Sequence, residues 1–292
     1  MKAKCVILFL RVISIFPLWV IHSIAFVIGN ILFVTHSGLK RNTNTNLQLC
    51  FPKETNGKLK DLLRKTLIEN CKTALEFGYV WFRSPSFLLS KIKEAEGLEI
   101  MQEEFEKEEG ILLVAPHYGQ WEIVGLYIAK RFPSCYLYKK PKITELDSVM
   151  TKARGRNGAS IVPADHSGIR HLFQSLKQGK VIGILPDQDP STGDGVFAPF
   201  FGIPAKTMIL LSRFAAKTKA PVIITYAERL PFARGYKMHF RKIEGEIYSK
   251  DLAKSATELN KAIEEDVRKF PAQYQWTYKR FKSRPEGEDK IY

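Results

Sequence analysis

A histidine and a glutamate five positions apart follow a predicted buried strand. The strand covers residues 111–115, and His117 and Glu122 come after it in the segment HYGQWE. Within one regular helix, residues five apart point about 140° away from each other. The two side chains therefore converge only if His117 lies in the turn before the helix, a turn that Gly119 permits.

That arrangement would support proton transfer. A carboxylate near a helix N-terminus is favoured by the helix dipole and can accept a proton from one ring nitrogen of the histidine. The other ring nitrogen is then left as a general base. Taken alone, the spacing is a weak signal and favours a structural histidine whose ring is fully hydrogen-bonded.

Short apolar runs alternate with amphipathic segments around this turn. Strands are predicted at residues 111–115, 135–138, 159–162, 181–185, 221–226 and 236–243. Helices are predicted at residues 59–78, 121–130, 169–177, 207–217 and 253–269. Such alternation is typical of an α/β domain whose mainly parallel sheet is flanked by helices. Active sites in these domains lie beyond the carboxyl ends of the strands.

The N-terminal part of the chain carries an apolar stretch, residues 12–34, without Lys, Arg, Asp or Glu. About 20 such residues span a bilayer, but Pro17 and His22 interrupt the stretch. The part after Pro17 gives roughly 25 Å of helix. The sequence therefore predicts a membrane-anchoring helix within residues 1–40, either spanning the bilayer or lying in its interface, and a globular domain over residues 41–292. A cleaved signal peptide is a further alternative.

The charge of the chain indicates an anionic partner. Forty-five basic and 30 acidic residues give a net charge of +15. The basic residues are scattered and form no nucleic-acid-binding motif. Together with the apolar stretch, they favour an anionic membrane or an acidic partner over nucleic acid.

The cysteine and acidic patterns do not predict a metal site. The four cysteines lack the close spacing of zinc ligands. An EF-hand loop that began at Asp187 would require Glu at position 198, where the chain has Ala198.

The segment HYGQWE resembles HFGNWE, the acyltransferase motif of the lipid A lauroyl/myristoyl acyltransferases. Further blocks follow in the order and spacing of that family: Asp187 and Gln188 after VIGILP, residues 195–202, 204–205, 271–276 and 280–287. Several blocks in one order are more specific than one short motif. The chain is thus similar to this family, which is related to the glycerolipid acyltransferases, over nearly its whole length.

The resemblance implies a glycerolipid-acyltransferase-like fold and an O-acyltransferase that uses no cofactor. The acyl chain would pass from an acyl carrier protein thioester to a hydroxyl of an anionic lipid A precursor. His117 would remove the hydroxyl proton through Nε2 or Nδ1, and Glu122 would orient the imidazole and stabilise its charged form. No G-x-S-x-G elbow is present, so direct transfer is simpler than an acyl-enzyme. The family also implies the bacterial inner membrane, with the active site facing the cytoplasm.

Three further residues are expected to bind substrate. Related acyltransferases carry an arginine in the region of Arg154 and Arg156 that contacts phosphate, and arginine suits phosphate because it can bind two oxygens at once. Arg156 fits better than Arg154 by its offset from Gly158 and the following strand, although a solvated basic loop is an alternative. Asp187 is expected to help to shape the site, or to form a structural turn.

Other functions remain open at this point. The chain could acylate another membrane glycolipid or phospholipid, since such relatives share the histidine and the acidic residue. A non-catalytic protein that binds anionic lipid would be indifferent to the loss of His117. A hydrolase would release fatty acid without an acceptor.

Overall fold

The computed structural model describes residues 2–141, 144–190 and 194–292. Its helices are α1 Lys2–Ile15, α2 Leu18–Val34, α3 Gly38–Cys50, α4 Asn56–Phe82, α5 Pro85–Leu89, α6 Leu98–Phe105, α7 Trp121–Ala129, α8 Glu145–Arg154, α9 His166–Lys177, α10 Leu210–Thr218 and α11 Leu252–Lys269. Its strands are β1 Ile92–Glu96, β2 Ile111–Val114, β3 Ser134–Tyr138, β4 Ser160–Pro163, β5 Val181–Ile184, β6 Gly195–Phe200, β7 Ile203–Met208, β8 Val222–Arg229 and β9 Tyr236–Ile243.

A seven-stranded sheet with the order β1-β9-β8-β2-β5-β3-β4 forms the centre of the fold. Strands β8, β2, β5, β3 and β4 are parallel to one another. β9 runs antiparallel to β8 and pairs in parallel with β1 at the edge. The predicted α/β architecture with a mainly parallel sheet is therefore confirmed. The carboxyl ends of the five parallel strands lie along one edge of the sheet.

Helices cover both faces of the sheet. Successive residues of a strand point to opposite faces, and the central strands are buried on both. In β2, Leu112 and Val114 face one core cluster, to which α9, α10 and α11 contribute. Ile111 and Leu113 face the other cluster, which includes residues of α1, α2, α6 and α7. The long helix α4 contributes to both clusters.

The two N-terminal helices pack against α4 at glycine contacts. A Cβ atom on Gly29 of α2 would lie 2.6 Å from Cα of Ile68, and one on Gly78 of α4 would lie 2.3 Å from the carbonyl oxygen of Leu10. Pro17 separates the two helices, since it stands at the N-cap of α2. Among the described residues, no single helix is long and apolar enough to cross a membrane, and α2 with α3, bent by 80°, meets that requirement only as a pair.

The six predicted strands are all present. The sequence did not predict α3, α5, α6, α8, β1, β6 and β7. β1 alternates too weakly to be recognised, α8 is polar, and the β6–β7 hairpin forms a separate two-stranded sheet. The predicted helix over residues 207–217 begins too early. Its first two residues belong to β7, and the helix starts at Leu210.

Candidate active site

The segment from residue 116 to residue 120, here called the His117 turn, follows β2 at the carboxyl edge of the sheet. Main-chain hydrogen bonds hold it on two sides. Gly119 N donates to the carbonyl of Gln273 at 3.0 Å, and Gln120 N donates to that of Ala227 at 3.0 Å. Gly119 has a φ of 59°, and a Cβ atom there would lie 2.0 Å from the Ala227 carbonyl oxygen. Only glycine therefore allows the turn to lie this close to β8.

The imidazole of His117 is held by Asp187. Asp187 follows β5, the strand that neighbours β2. Nδ1 of His117 lies 2.8 Å from Oδ1 of Asp187, and the His117 main-chain N donates to Oδ2 at 3.0 Å. Burial alone would raise the pKa of Asp187, but the charge and hydrogen bonds of His117 outweigh it and hold that pKa below its usual value. An ionised Asp187 requires a proton on Nδ1, so Nε2 carries the free lone pair.

Glu122 has different partners from those expected. Its carboxylate forms an ion pair with Arg154, whose Nε donates to Oε1 at 3.2 Å and to Oε2 at 3.0 Å. Trp81 Nε1 also donates to Oε2, at 3.1 Å. Glu122 is buried, which would raise its pKa, yet Arg154 and Trp81 lower it.

The pairing of His117 with Glu122 is thus corrected: Asp187 takes the position at Nδ1. The physical reason lies in the helix. Glu122 is in the first turn of α7, where it points to the helix layer that contains Trp81 and Arg154. Asp187 follows β5, the parallel strand adjacent to β2, so its side chain emerges beside His117 at the same edge of the sheet.

Arg156 is engaged by main-chain carbonyls. Its Nε donates to Ala153 at 2.9 Å, its Nη2 donates to Val80 at 2.5 Å, and its Nη1 donates to Arg83. The last two carbonyls belong to the C-terminal end of α4 and the residue that caps it. Arg156 therefore joins α8 to the end of α4. Its expected contact with substrate phosphate remains a prediction, and these bonds do not favour it.

An aromatic group lies beside the histidine. The ring centroids of His117 and Trp121 are 5.0 Å apart. Phe77 contacts Trp121 edge to face and stacks on Trp81. These rings give one side of the imidazole an apolar wall.

A buried network of charged residues contacts the His117 turn through Gln120. Glu76 of α4 accepts hydrogen bonds from Arg229 at 2.7 and 2.9 Å and from Nε2 of Gln120 at 2.9 Å, and it pairs with Nε2 of His22 at 2.6 Å. Burial favours the neutral acid, but Arg229 and His22 outweigh it and hold the pKa of Glu76 well below its usual range. The network connects α2, α4, the end of β8 and the His117 turn.

Sequence reasoning missed Glu76, Arg229 and Trp81. Glu76 and Arg229 are 153 positions apart, and neither lies in a recognisable motif. The one available signal was Glu76 itself, a charged residue in an otherwise apolar part of helix α4.

Comparisons with known proteins place the chain among related sequences. A sequence model of the family of bacterial lipid A biosynthesis acyltransferases matches residues 3–283. The lipid A biosynthesis palmitoleoyltransferase of Escherichia coli (strain K12) is 27% identical over 251 residues, which cover 85% of this chain and 80% of that protein. The lauroyltransferase of the same organism is 26% identical over 248 residues, with the same shares. Its myristoyltransferase is 25% identical over 259 residues, 87% of this chain and 78% of that protein.

The order of the motifs, the α/β fold and the match over nearly all of the sequence agree, and the chain belongs to the bacterial lipid A biosynthesis acyltransferase family.

Proposed function

We propose that the protein transfers a fatty acyl chain from an acyl carrier protein thioester to a hydroxyl group of a lipid A precursor. The observation that supports this most directly is the pair of hydrogen bonds between His117 and Asp187, at 2.8 and 3.0 Å. They fix the ring and its tautomer, and they direct Nε2 away from Asp187. Within the described chain, Nε2 has no hydrogen-bond partner.

The proposed reaction needs one base and no covalent intermediate. Nε2 of His117 removes the proton from the acceptor hydroxyl as its oxygen attacks the thioester carbonyl. The charge that forms on the imidazole is stabilised by Asp187. When the carbon–sulfur bond breaks, the proton on Nε2 passes to the leaving thiolate and restores the neutral ring.

Arg154 and Glu122 act next to this centre. The Arg154 side chain is about one quarter exposed, whereas that of Glu122 is buried. Glu122 thus holds a guanidinium that is partly open to solvent, and that guanidinium is the better candidate for substrate phosphate. Arg156, preferred from the sequence, has its Nε, Nη1 and Nη2 on main-chain carbonyls.

A membrane surface is the proposed location of the reaction. Large apolar side chains are exposed on α1 and α2: Leu8, Phe9, Val12, Ile15, Trp19, Phe26, Val27, Ile28, Ile31 and Val34. Basic residues lie beside this face, and Arg64 stacks on Phe26 at 5.7 Å. Apolar area flanked by cations suits an anionic lipid surface. By family resemblance, we propose the cytoplasmic side of the bacterial inner membrane.

The test is acyl transfer in membranes from cells that express the protein. Acyl carrier protein thioesters and a labelled lipid A precursor are supplied to wild type, to His117→Ala and to His171→Ala, which changes an exposed histidine. We expect a heavier lipid product from wild type and His171→Ala, and a loss of at least about 10²-fold in His117→Ala.

The same assay examines the alternatives. Undiminished transfer by a folded His117→Ala protein would exclude His117 as the base. Fatty acid release without an acceptor would indicate a hydrolase. Transfer to a phospholipid or another glycolipid in place of the lipid A precursor would change the acceptor and leave the proposed chemistry intact.

A further inference from the structure

A groove lies between α9 and α10, closed at one end by the start of α11. Its volume is about 650 Å³. Apolar side chains form its floor and basic side chains its rim: Ile169, Phe173, Phe214, Ala216 and Leu252 below, and His166, Arg170, Arg213, Lys217 and Lys250 above. A second depression of about 440 Å³ shares Phe173 and Lys217 and continues the groove toward Lys177 and Lys219.

The rim of the groove is strongly cationic. Neither α9 nor α10 contains an acidic residue. Nearby carboxylates have other partners or lie outside: Asp194 pairs with Arg213, Asp165 and Asp251 cap helices, and Glu109 lines only the second depression. The net positive charge of the groove is therefore left for a partner to neutralise.

The floor of the groove is apolar and held in place. The rings of Phe173 and Phe214 lie 5.2 Å apart. Lys217 and Lys177 lie over the Phe173 ring, at 4.8 and 5.1 Å. An apolar strip between two cationic walls is complementary to an amphipathic helix with acidic residues on both sides of an apolar stripe.

One end of the groove, at His166, lies at the edge of the sheet that carries the active site, and the groove extends from there toward the opposite edge. His166, at its end, is the first residue of α9 and follows the carboxyl end of β4. His117 and Asp187 follow β2 and β5, which are parallel to β4 in the same sheet. The groove helices α9 and α10 pack on the face of the sheet opposite to α1 and to the buried residues of α2, Leu18, Ile21 and Ala25.

We propose that this groove docks an acidic amphipathic helix of the acyl carrier protein. The inference rests on the proposed function, in which a carrier protein delivers the thioester. Charge complementarity selects an acidic partner, and the concave shape selects a helix over a flat lipid surface. A carrier docked in this groove reaches, at the His166 end, the edge of the sheet that carries Nε2 of His117.

Direct binding tests the groove without catalysis. Purified full-length protein in neutral detergent is titrated into fluorescently labelled carrier protein, and anisotropy is followed. The variant Arg170→Glu/Lys217→Glu reverses two charges on the rim, and Lys53→Glu/Lys60→Glu makes the same change in charge at exposed positions outside the groove. We expect the groove variant to bind at least about tenfold more weakly than the control, with a shallower dependence on salt. Equal affinities in the two variants would overturn the proposal.

A second variant distinguishes a loss of carrier binding from a loss of folding. Arg170→Glu/Lys250→Glu leaves the contact of Lys217 with Phe173 intact, and we expect the same loss of affinity. Circular dichroism and thermal unfolding show whether each variant is folded. Normal carrier binding by this folded second variant would also overturn the proposal.

A comparison of two acyl donors tests the docking site separately from the proposed reaction. Each variant is assayed with acyl carrier protein thioester and with acyl-pantetheine, a small thioester that has no protein to dock. We expect the ratio of the two rates, carrier over small donor, to fall at least about tenfold in the groove variants. If wild type uses neither donor, the proposed function fails, while the binding titration still decides the docking site.

Lipid is the competing occupant of the groove. Flotation with vesicles of equal parts phosphatidylethanolamine and phosphatidylglycerol tests it. Loss of vesicle binding together with unchanged carrier binding in the groove variants would assign the surface to lipid and overturn the docking proposal.

Discussion

Asp187 accepts two hydrogen bonds from His117, one from the ring at Nδ1 and one from the main-chain N. The same carboxylate therefore fixes the ring and the backbone that carries it. Because the two residues follow the adjacent strands β2 and β5, the geometry of the sheet sets their distance. The tautomer of His117 and the position of its turn are thus determined together.

The first prediction concerns Asp187→Asn, which keeps the size of the side chain but removes its charge. We expect a fall in turnover of roughly 10²-fold or more, because the imidazolium loses its counter-charge and the tautomer is no longer fixed. Turnover is measured at saturating donor and acceptor. Asp61→Asn, at an exposed ion pair, serves as the control. If Glu122→Gln reduces turnover more than Asp187→Asn at equal stability, Glu122 and not Asp187 orients the histidine.

The second prediction concerns the ion pair between Glu122 and Arg154. Arg154→Gln leaves a carboxylate buried without its cation, which we expect to cost about 3–5 kcal/mol of unfolding free energy. Adding Glu122→Gln removes the uncompensated charge, so the double variant should be more stable than Arg154→Gln alone. Chemical unfolding in detergent measures the unfolding free energies of wild type, Arg154→Gln and the double variant. A double variant less stable than Arg154→Gln would contradict the prediction.

The third prediction concerns Glu76→Gln, which removes the charge at the centre of the buried network. We expect a loss of about 3 kcal/mol of unfolding free energy, because Arg229 is buried and, among the residues that the structure describes, keeps only Glu69 as an anionic partner. Asp61→Asn at the surface should cost less than about 1 kcal/mol.

The pH dependence of stability follows from the same residue. The pKa of Glu76 is lower in the folded protein than its usual value near 4.3, so the unfolded chain binds the proton first as the pH falls. The stability that this carboxylate contributes is fully present above about pH 5 and declines below it. Between about pH 5 and pH 3, the unfolding free energy of wild type should fall more steeply with decreasing pH than that of Glu76→Gln. Identical slopes would show that Glu76 is not the group that titrates.

The fourth prediction concerns a tight turn after β8, residues 231–233, near α2. Phe232 at its tip is 93% exposed and has a φ of 57°. We expect this ring to enter the lipid surface beside α1 and α2, so that Phe232→Ser lowers vesicle partitioning roughly tenfold while Phe232→Leu does not. Flotation assays measure the partitioning. Equal partitioning of the two variants would place the turn outside the membrane contact.

The sequence predicted the sheet well because its central strands are buried on both faces and read as short apolar runs. It predicted that Glu122 orients His117, whereas Glu122 pairs with Arg154 and Asp187 holds the imidazole. It could not predict that Asp187 binds Nδ1, since that contact depends on β2 and β5 being neighbours although β3 and β4 lie between them in the chain. Strand order is a property of long-range packing that no local pattern carries.

The close packing of α1 and α2 against α4 has a practical consequence for anyone who shortens this protein to obtain a detergent-free form. Deleting residues 1–40 would remove more than a hydrophobic tether. It would uncover the surface around Ile68 and Gly78 and take away His22, a hydrogen-bond partner of Glu76. Such a truncation is expected to aggregate or to lose the support of the His117 turn. Point substitutions on the exposed apolar side of the two helices are the safer route to solubility.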